Sequence, residues 1–192
     1  MVVDKQTQSP RGAVVVPGGM YGPHTPLLMY AAGAAEARGA QVERITWDPP
    51  RQSGRGISSW VLDQVTPVID HVTRSSPRTA EVVIGKSLGT HAAVLAAERA
   101  LPAIWLTPLL TTAEVAQALR SATAPFLLVG GTEDRHWDGA LAAELSPHVL
   151  EVRGADHDLR VPGPLSESAK VLGRVATAVE DFLDRIVWSE AA

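Results

Sequence analysis

Three polar clusters carry residue types that could do chemistry together. The first is Gly85-Lys86-Ser87-Leu88-Gly89, a G-x-S-x-G pentapeptide between an apolar run and an Ala-rich segment. A serine hydroxyl is a weak nucleophile, activated when a base removes its proton and a third group orients that base. On a tight strand-to-helix turn the hydroxyl is exposed, and the positive end of the following helix favours a developing anion. The other clusters are Gly130-Gly131-Thr132-Glu133-Asp134 and Gly154-Ala155-Asp156-His157-Asp158. The order Ser87, Asp134, His157 suits a nucleophile, an orienting acid and a base presented by successive strands of one sheet. The chemistry would be acyl transfer. Ser87 attacks an acyl carbon, His157 shuttles the proton, and Asp134 fixes the imidazole tautomer.

An acyl-transfer site also needs donors for the oxyanion. The amide of Leu88 is one candidate. The second falls in Pro17-Gly18-Gly19-Met20-Tyr21-Gly22, with Met20 placed ahead of Gly19. His24 lies just past that loop, and Tyr21, Trp105, Leu109 and Trp137 are read as following strands at the same edge; these five are the candidate substrate contacts. Two competitors exist for the triad. Asp138 could replace Asp134 but is better placed to cap the helix starting at Gly139. His91 lies one helical turn beyond Ser87 and is expected to pack beneath it.

The elements that must position these residues alternate regularly. Short apolar runs at 13–16, 41–47, 81–84, 103–106, 125–129 and 148–152 read as strands. Helical patterns fall between them at 25–38, 57–74, 87–100, 112–121 and 139–145, with a last helix over about 166–187. Pro67 interrupts the second helical pattern and predicts a kink. Strand-helix alternation predicts a three-layer α/β/α sandwich around a mostly parallel six-stranded sheet. Ligands bind such sheets at the carboxyl ends of the strands.

Composition narrows the function classes. The chain has 192 residues, and its 45% hydrophobic and 20% charged content fits one ordinary globular domain over 1–192, with 1–11 expected to be a flexible segment. A net charge of −4 without a basic cluster argues against a nucleic-acid partner. No apolar run approaches the roughly 20 residues that cross a bilayer. The N-terminus lacks the apolar stretch of a secretory signal. Cys is absent, which excludes disulfides and thiolate chemistry and is compatible with a cytoplasmic setting. No metal-ligand spacing and no dinucleotide fingerprint occurs, so no cofactor is expected. Lys86-Ser87 lacks the upstream glycine of a phosphate-binding loop. Arg44, Arg51 and Arg55 read as a solvated face.

On these motifs the sequence resembles the α/β-hydrolase superfamily over about residues 12–187. It looks most like small lidless bacterial members of the dienelactone hydrolase and acyl-protein thioesterase type. The resemblance implies a minimal fold without a cap domain, since only 107–124 separates the strand after the serine from the acid strand. It also implies loss of the usual N-terminal strand pair. The implied activity is hydrolysis of an ester or thioester of a small or medium acyl substrate through Ser87, His157 and Asp134. An acyltransferase, cyclase or lyase on the same scaffold, or a non-catalytic binding protein, are the alternatives. Pro17-Gly18 stands where the family's His-Gly oxyanion signature falls, which leaves the second donor open between Met20 and Gly19.

Overall fold

The computed structural model describes residues 11–50, 56–75 and 81–189. Arg51, Arg55 and the expected N-terminal segment before Arg11 lie outside them. In chain order the elements are β1 Arg11–Val16, α1 Pro26–Glu36, β2 Ala40–Arg44, α2 Ile57–Ser75 and β3 Glu81–Lys86. A 3-10 segment Ser87–Ala92 then leads into α3 Ala93–Glu98, β4 Ala103–Leu106, α4 Ala113–Ser121, β5 Phe126–Gly131, α5 Gly139–Leu145, β6 Val149–Val152 and α6 Leu165–Phe182. The strands form one sheet in the order β2-β1-β3-β4-β5-β6, and every pairing is parallel.

A parallel sheet covered on both faces needs strands that are apolar on both sides. β3, β4 and β5 are buried at every residue. Successive side chains point to opposite faces, so each strand feeds two cores. Ala13, Val15, Val82, Ile84, Ile104, Leu106, Leu127 and Val129 pack with α1 and α6. Val14, Val16, Val83, Trp105, Phe126 and Leu128 pack with α2, α3 and α4 on the other face.

Three elements differ from expectation. β2 ends at Arg44, because Trp47 turns away: its Nε1 donates to the Gly18 carbonyl at 2.9 Å, and its ring tilts against Trp60 at 5.1 Å. The segment after Ser87 begins as a 3-10 turn rather than an α-helix. There the Thr90 hydroxyl donates to the Ser87 carbonyl at 2.6 Å and tightens the first turn. The last helix widens to a π-turn over Leu183–Val187, with the Trp188 amide bonded to the Leu183 carbonyl at 2.8 Å. α2 runs through Pro67.

The loops that follow β5 and β6 are locked to each other. Thr132 N donates to Val152 O at 3.1 Å, Glu133 N to Ala155 O at 3.0 Å, and Gly154 N to the Thr132 hydroxyl at 2.8 Å. Gly131 permits this approach, since a Cβ there would run into the Ala155 carbonyl. The obstacle is backbone and yields poorly. Gly131→Ala should therefore lose about 1–3 kcal/mol, which lowers Tm by roughly 2–4 °C per kcal/mol at this chain length. Gly173→Ala, in α6 with nothing within 4 Å of its Cβ position, should gain about 0.5–1 kcal/mol. Thermal melts of both variants check the pair; a Gly131→Ala protein as stable as the parent contradicts the interlock.

Candidate active site

The carboxyl ends of the strands present the three polar clusters at one edge. Register fixes this: Val16 pairs with Gly85, Lys86 with Leu106, Leu106 with Val129, and Gly131 with Val152. Ser87 follows β3 with φ 51°, a left-handed conformation that costs a residue with a Cβ. The flanking glycines serve close approach rather than the turn itself. A Cβ on Gly85 would lie 2.6 Å from the Trp105 ring, and one on Gly89 would lie 2.6 Å from the Val16 carbonyl oxygen. With those carbons absent, β3 sits tightly between β1 and β4 and the strain falls on Ser87.

His157 reaches both partners. Its Nε2 is 2.7 Å from Ser87 Oγ, and its Nδ1 is 2.7 Å from Asp134 Oδ2. The imidazole is one-third exposed, whereas the Asp134 side chain is fully buried. Asp134 Oδ1 also accepts the His136 amide at 2.9 Å. Burial pushes the Asp134 carboxyl upward, but the hydrogen bonds from His157 and His136 outweigh it and hold the group below the usual carboxylate range. An ionised acceptor on Nδ1 leaves Nε2 free to accept a proton.

These side chains open on a cavity of about 900 Å³. Ser87, His157, Leu88, Gly19, Met20, Tyr21 and Leu109 line it. The Gly18 amide is committed to the Tyr21 carbonyl at 2.9 Å, which removes it as an oxyanion donor and leaves Gly19 and Met20 beside Leu88. Three expected substrate contacts lie elsewhere. His24 is exposed and outside the cavity wall. Trp105 is 1% exposed and packs on the α2–α4 face, against Gly85. Trp137 lies over Gly130, with its Nε1 donating to Glu151 at 2.8 Å. Trp105 and Trp137 lie near the edge by their strands and His24 by the glycine loop, but side-chain direction carries them away from the cavity.

The rival residues take structural partners. Asp138 caps α5 by accepting the Leu141 amide at 2.9 Å. His91 is buried against the Ser58 hydroxyl at 2.9 Å, and burial lowers its pKa. Three residues near Ser87 have no role in the sequence reading. His136 lies edge-on to His157 at 5.3 Å between ring centroids, and burial followed by the His157 charge lowers its pKa. Arg135 Nε donates to His136 Nε2 at 3.1 Å and lines the same cavity. Lys86 is buried beside Ser87. For Lys86 the available signal is a charged residue two positions beyond the apolar run Val82-Val83-Ile84, on the same face as Val82 and Ile84.

Among the described residues, no helix is long and apolar enough to cross a membrane, and no cluster of His and acidic side chains has the makings of a metal site.

No family model matches the chain, and no curated protein matches it at a significant level. Solved structures do. An α/β serine hydrolase homologue from Coxiella burnetii superposes with a TM-score of 0.69 at 17% identity, covering 92% of this chain and 86% of its own. A dienelactone hydrolase from Anabaena variabilis gives 0.70 at 18% identity, covering 95% and 89%. A lidless α/β serine hydrolase from Xanthomonas campestris gives 0.68 at 15% identity, covering 94% and 85%. Among the described residues only α4 lies between β4 and β5. The chain therefore has the α/β-hydrolase fold in a minimal form without a cap domain.

Proposed function

We propose that this protein is a serine hydrolase that cleaves an ester or thioester of a small or medium acyl group. The observation that carries the reading is the pair of 2.7 Å contacts from one imidazole, to Ser87 Oγ on one side and to buried Asp134 on the other. In this reading the Ser87 oxygen bonds to the acyl carbon while its proton passes to His157 Nε2. The tetrahedral intermediate places its oxyanion against the Leu88 amide and an amide of Gly19 or Met20. Collapse breaks the bond to the alkoxide or thiolate, which leaves with the proton from Nε2. Water then attacks the acyl-enzyme, His157 takes one of its protons, and the acid departs as that proton returns to Ser87.

Asp134 keeps the proton on Nδ1 and stabilises the imidazolium formed in both halves of the cycle. The exposed third of the imidazole and the cavity of about 900 Å³ suit a substrate that approaches from open solvent. The serine-hydrolase names of the structural neighbours agree with this chemistry.

Ser87→Ala should abolish turnover of a p-nitrophenyl ester series and prevent adduct formation with a fluorophosphonate. Adduct formation in that variant would reject the mechanism. Transfer of the acyl group to an added alcohol or amine in preference to water would reassign the protein as an acyltransferase. Asp134→Asn should lower kcat by about 10³–10⁴-fold, whereas Asp138→Asn, which loses only a helix cap worth about 1 kcal/mol, should retain kcat. Steady-state kinetics on the two variants decide which carboxylate serves His157, and equal losses would contradict the assignment to Asp134.

A further inference from the structure

Lys86 is a buried charge beside Ser87 that the proposed mechanism leaves unused. It closes β3 on the face of Val82 and Ile84, and its side chain is only 2% exposed. An apolar residue would continue that face without the desolvation an ammonium pays. Burial does lower the Lys86 pKa, opposed by the neighbouring Asp158 carboxylate. What the ammonium supplies instead is three partners on two other loops. Its Nζ donates to the His157 carbonyl at 3.2 Å, lies 3.4 Å from Asp158 Oδ1, and sits over the Tyr21 ring at 4.3 Å from its centroid.

Each partner belongs to a segment that the site depends on. His157 and Asp158 lie in a tight loop after β6, where Asp156 Oδ1 accepts the amides of Asp158 and Arg160 at 2.9 Å and Leu159 has φ 57°. Tyr21 anchors the glycine loop after β1. Its carbonyl accepts the Gly18 amide at 2.9 Å, and its hydroxyl accepts the Leu27 amide at 2.9 Å. One cation thus joins the strand that presents Ser87 to the loop that carries His157 and to the loop that lines the oxyanion side of the cavity.

We propose that Lys86 is a positioning residue, whose ammonium clamps the His157 backbone, Asp158 and Tyr21 to the end of β3 and so holds the imidazole over the Ser87 hydroxyl. This rests on the serine-hydrolase reading of Ser87 and His157. Lys86 touches no reacting atom. It acts through the placement of a base for which an error of about 1 Å costs about 100-fold in rate.

The test uses the full chain and p-nitrophenyl acetate, with active sites counted by the burst and by fluorophosphonate labelling. Labelling of the parent protein that does not depend on Ser87 overturns the hydrolase reading itself, and Lys86 with it. Once Ser87-dependent labelling is established, Lys86→Met should lower kcat per titrated site by about 10–100-fold with KM within about twofold. Asp158→Asn should lower kcat in the same direction by less, and the double variant should fall no further than Lys86→Met alone, because Lys86→Met already removes the contact to Asp158. A reduced burst with an unchanged rate per remaining site would mean that Lys86 only supports folding, and overturns the proposal. So does a Lys86→Met kcat per site within twofold of the parent, or multiplication of the two losses in the double variant. If Lys86→Met does not fold, Asp158→Asn decides, since it alters only the exposed partner of the clamp: an unchanged kcat per site overturns the proposal.

Discussion

One imidazole held between a buried carboxylate and a serine hydroxyl is the interaction on which the site depends. Its two contacts span 23 and 70 residues of sequence, so no local preference can make them. They exist because a parallel sheet aligns the ends of β3, β5 and β6 at one edge. The glycines that look like turn residues mostly serve that alignment. Gly85, Gly89 and Gly131 allow a ring or a neighbouring carbonyl to sit where a Cβ would be. The left-handed backbone at Ser87 is the strain this packing sustains, and the surrounding sheet over-determines it.

Electrostatics at the edge is divided between two buried charges of opposite sign. Asp134 faces the imidazole ring, is satisfied by two donors, and stays ionised. Lys86 faces the backbone of His157 from the carboxyl end of β3. The first presents an ionised acceptor to Nδ1. The second holds the backbone carbonyl of the same histidine. His136 and Arg135 form the outer wall beside them and leave the serine approachable from solvent.

Much of this was legible in the sequence because the informative residues follow strands. The six strands read as short apolar runs, and Ser87, Asp134 and His157 each sit in a glycine-bearing cluster within five residues of a strand end. Direction was harder to read than position. Trp105 lies one residue before the end of β4, but it shares the face of Val83 and Val14 and points into the core. His24 and Trp137 stand near the edge and turn to solvent and to Glu151. Lys86 was passed over as the variable residue of G-x-S-x-G. Only the period-two alternation through Val82 and Ile84 puts it on the face of the histidine loop. The 3-10 start after Ser87 was also hidden, because it comes from the Thr90 hydroxyl reaching back to the Ser87 carbonyl rather than from helix propensity.

The relay can be observed directly by 15N NMR of histidine-labelled protein at neutral pH. His157, identified by its absence from His157→Gln, should carry its proton on Nδ1 and show an unprotonated Nε2 facing Ser87. Asp134→Asn should reverse or mix that tautomer. A His157 ring protonated on Nε2 in the parent protein would turn a donor toward the serine hydroxyl, and no base would then be in place to activate it.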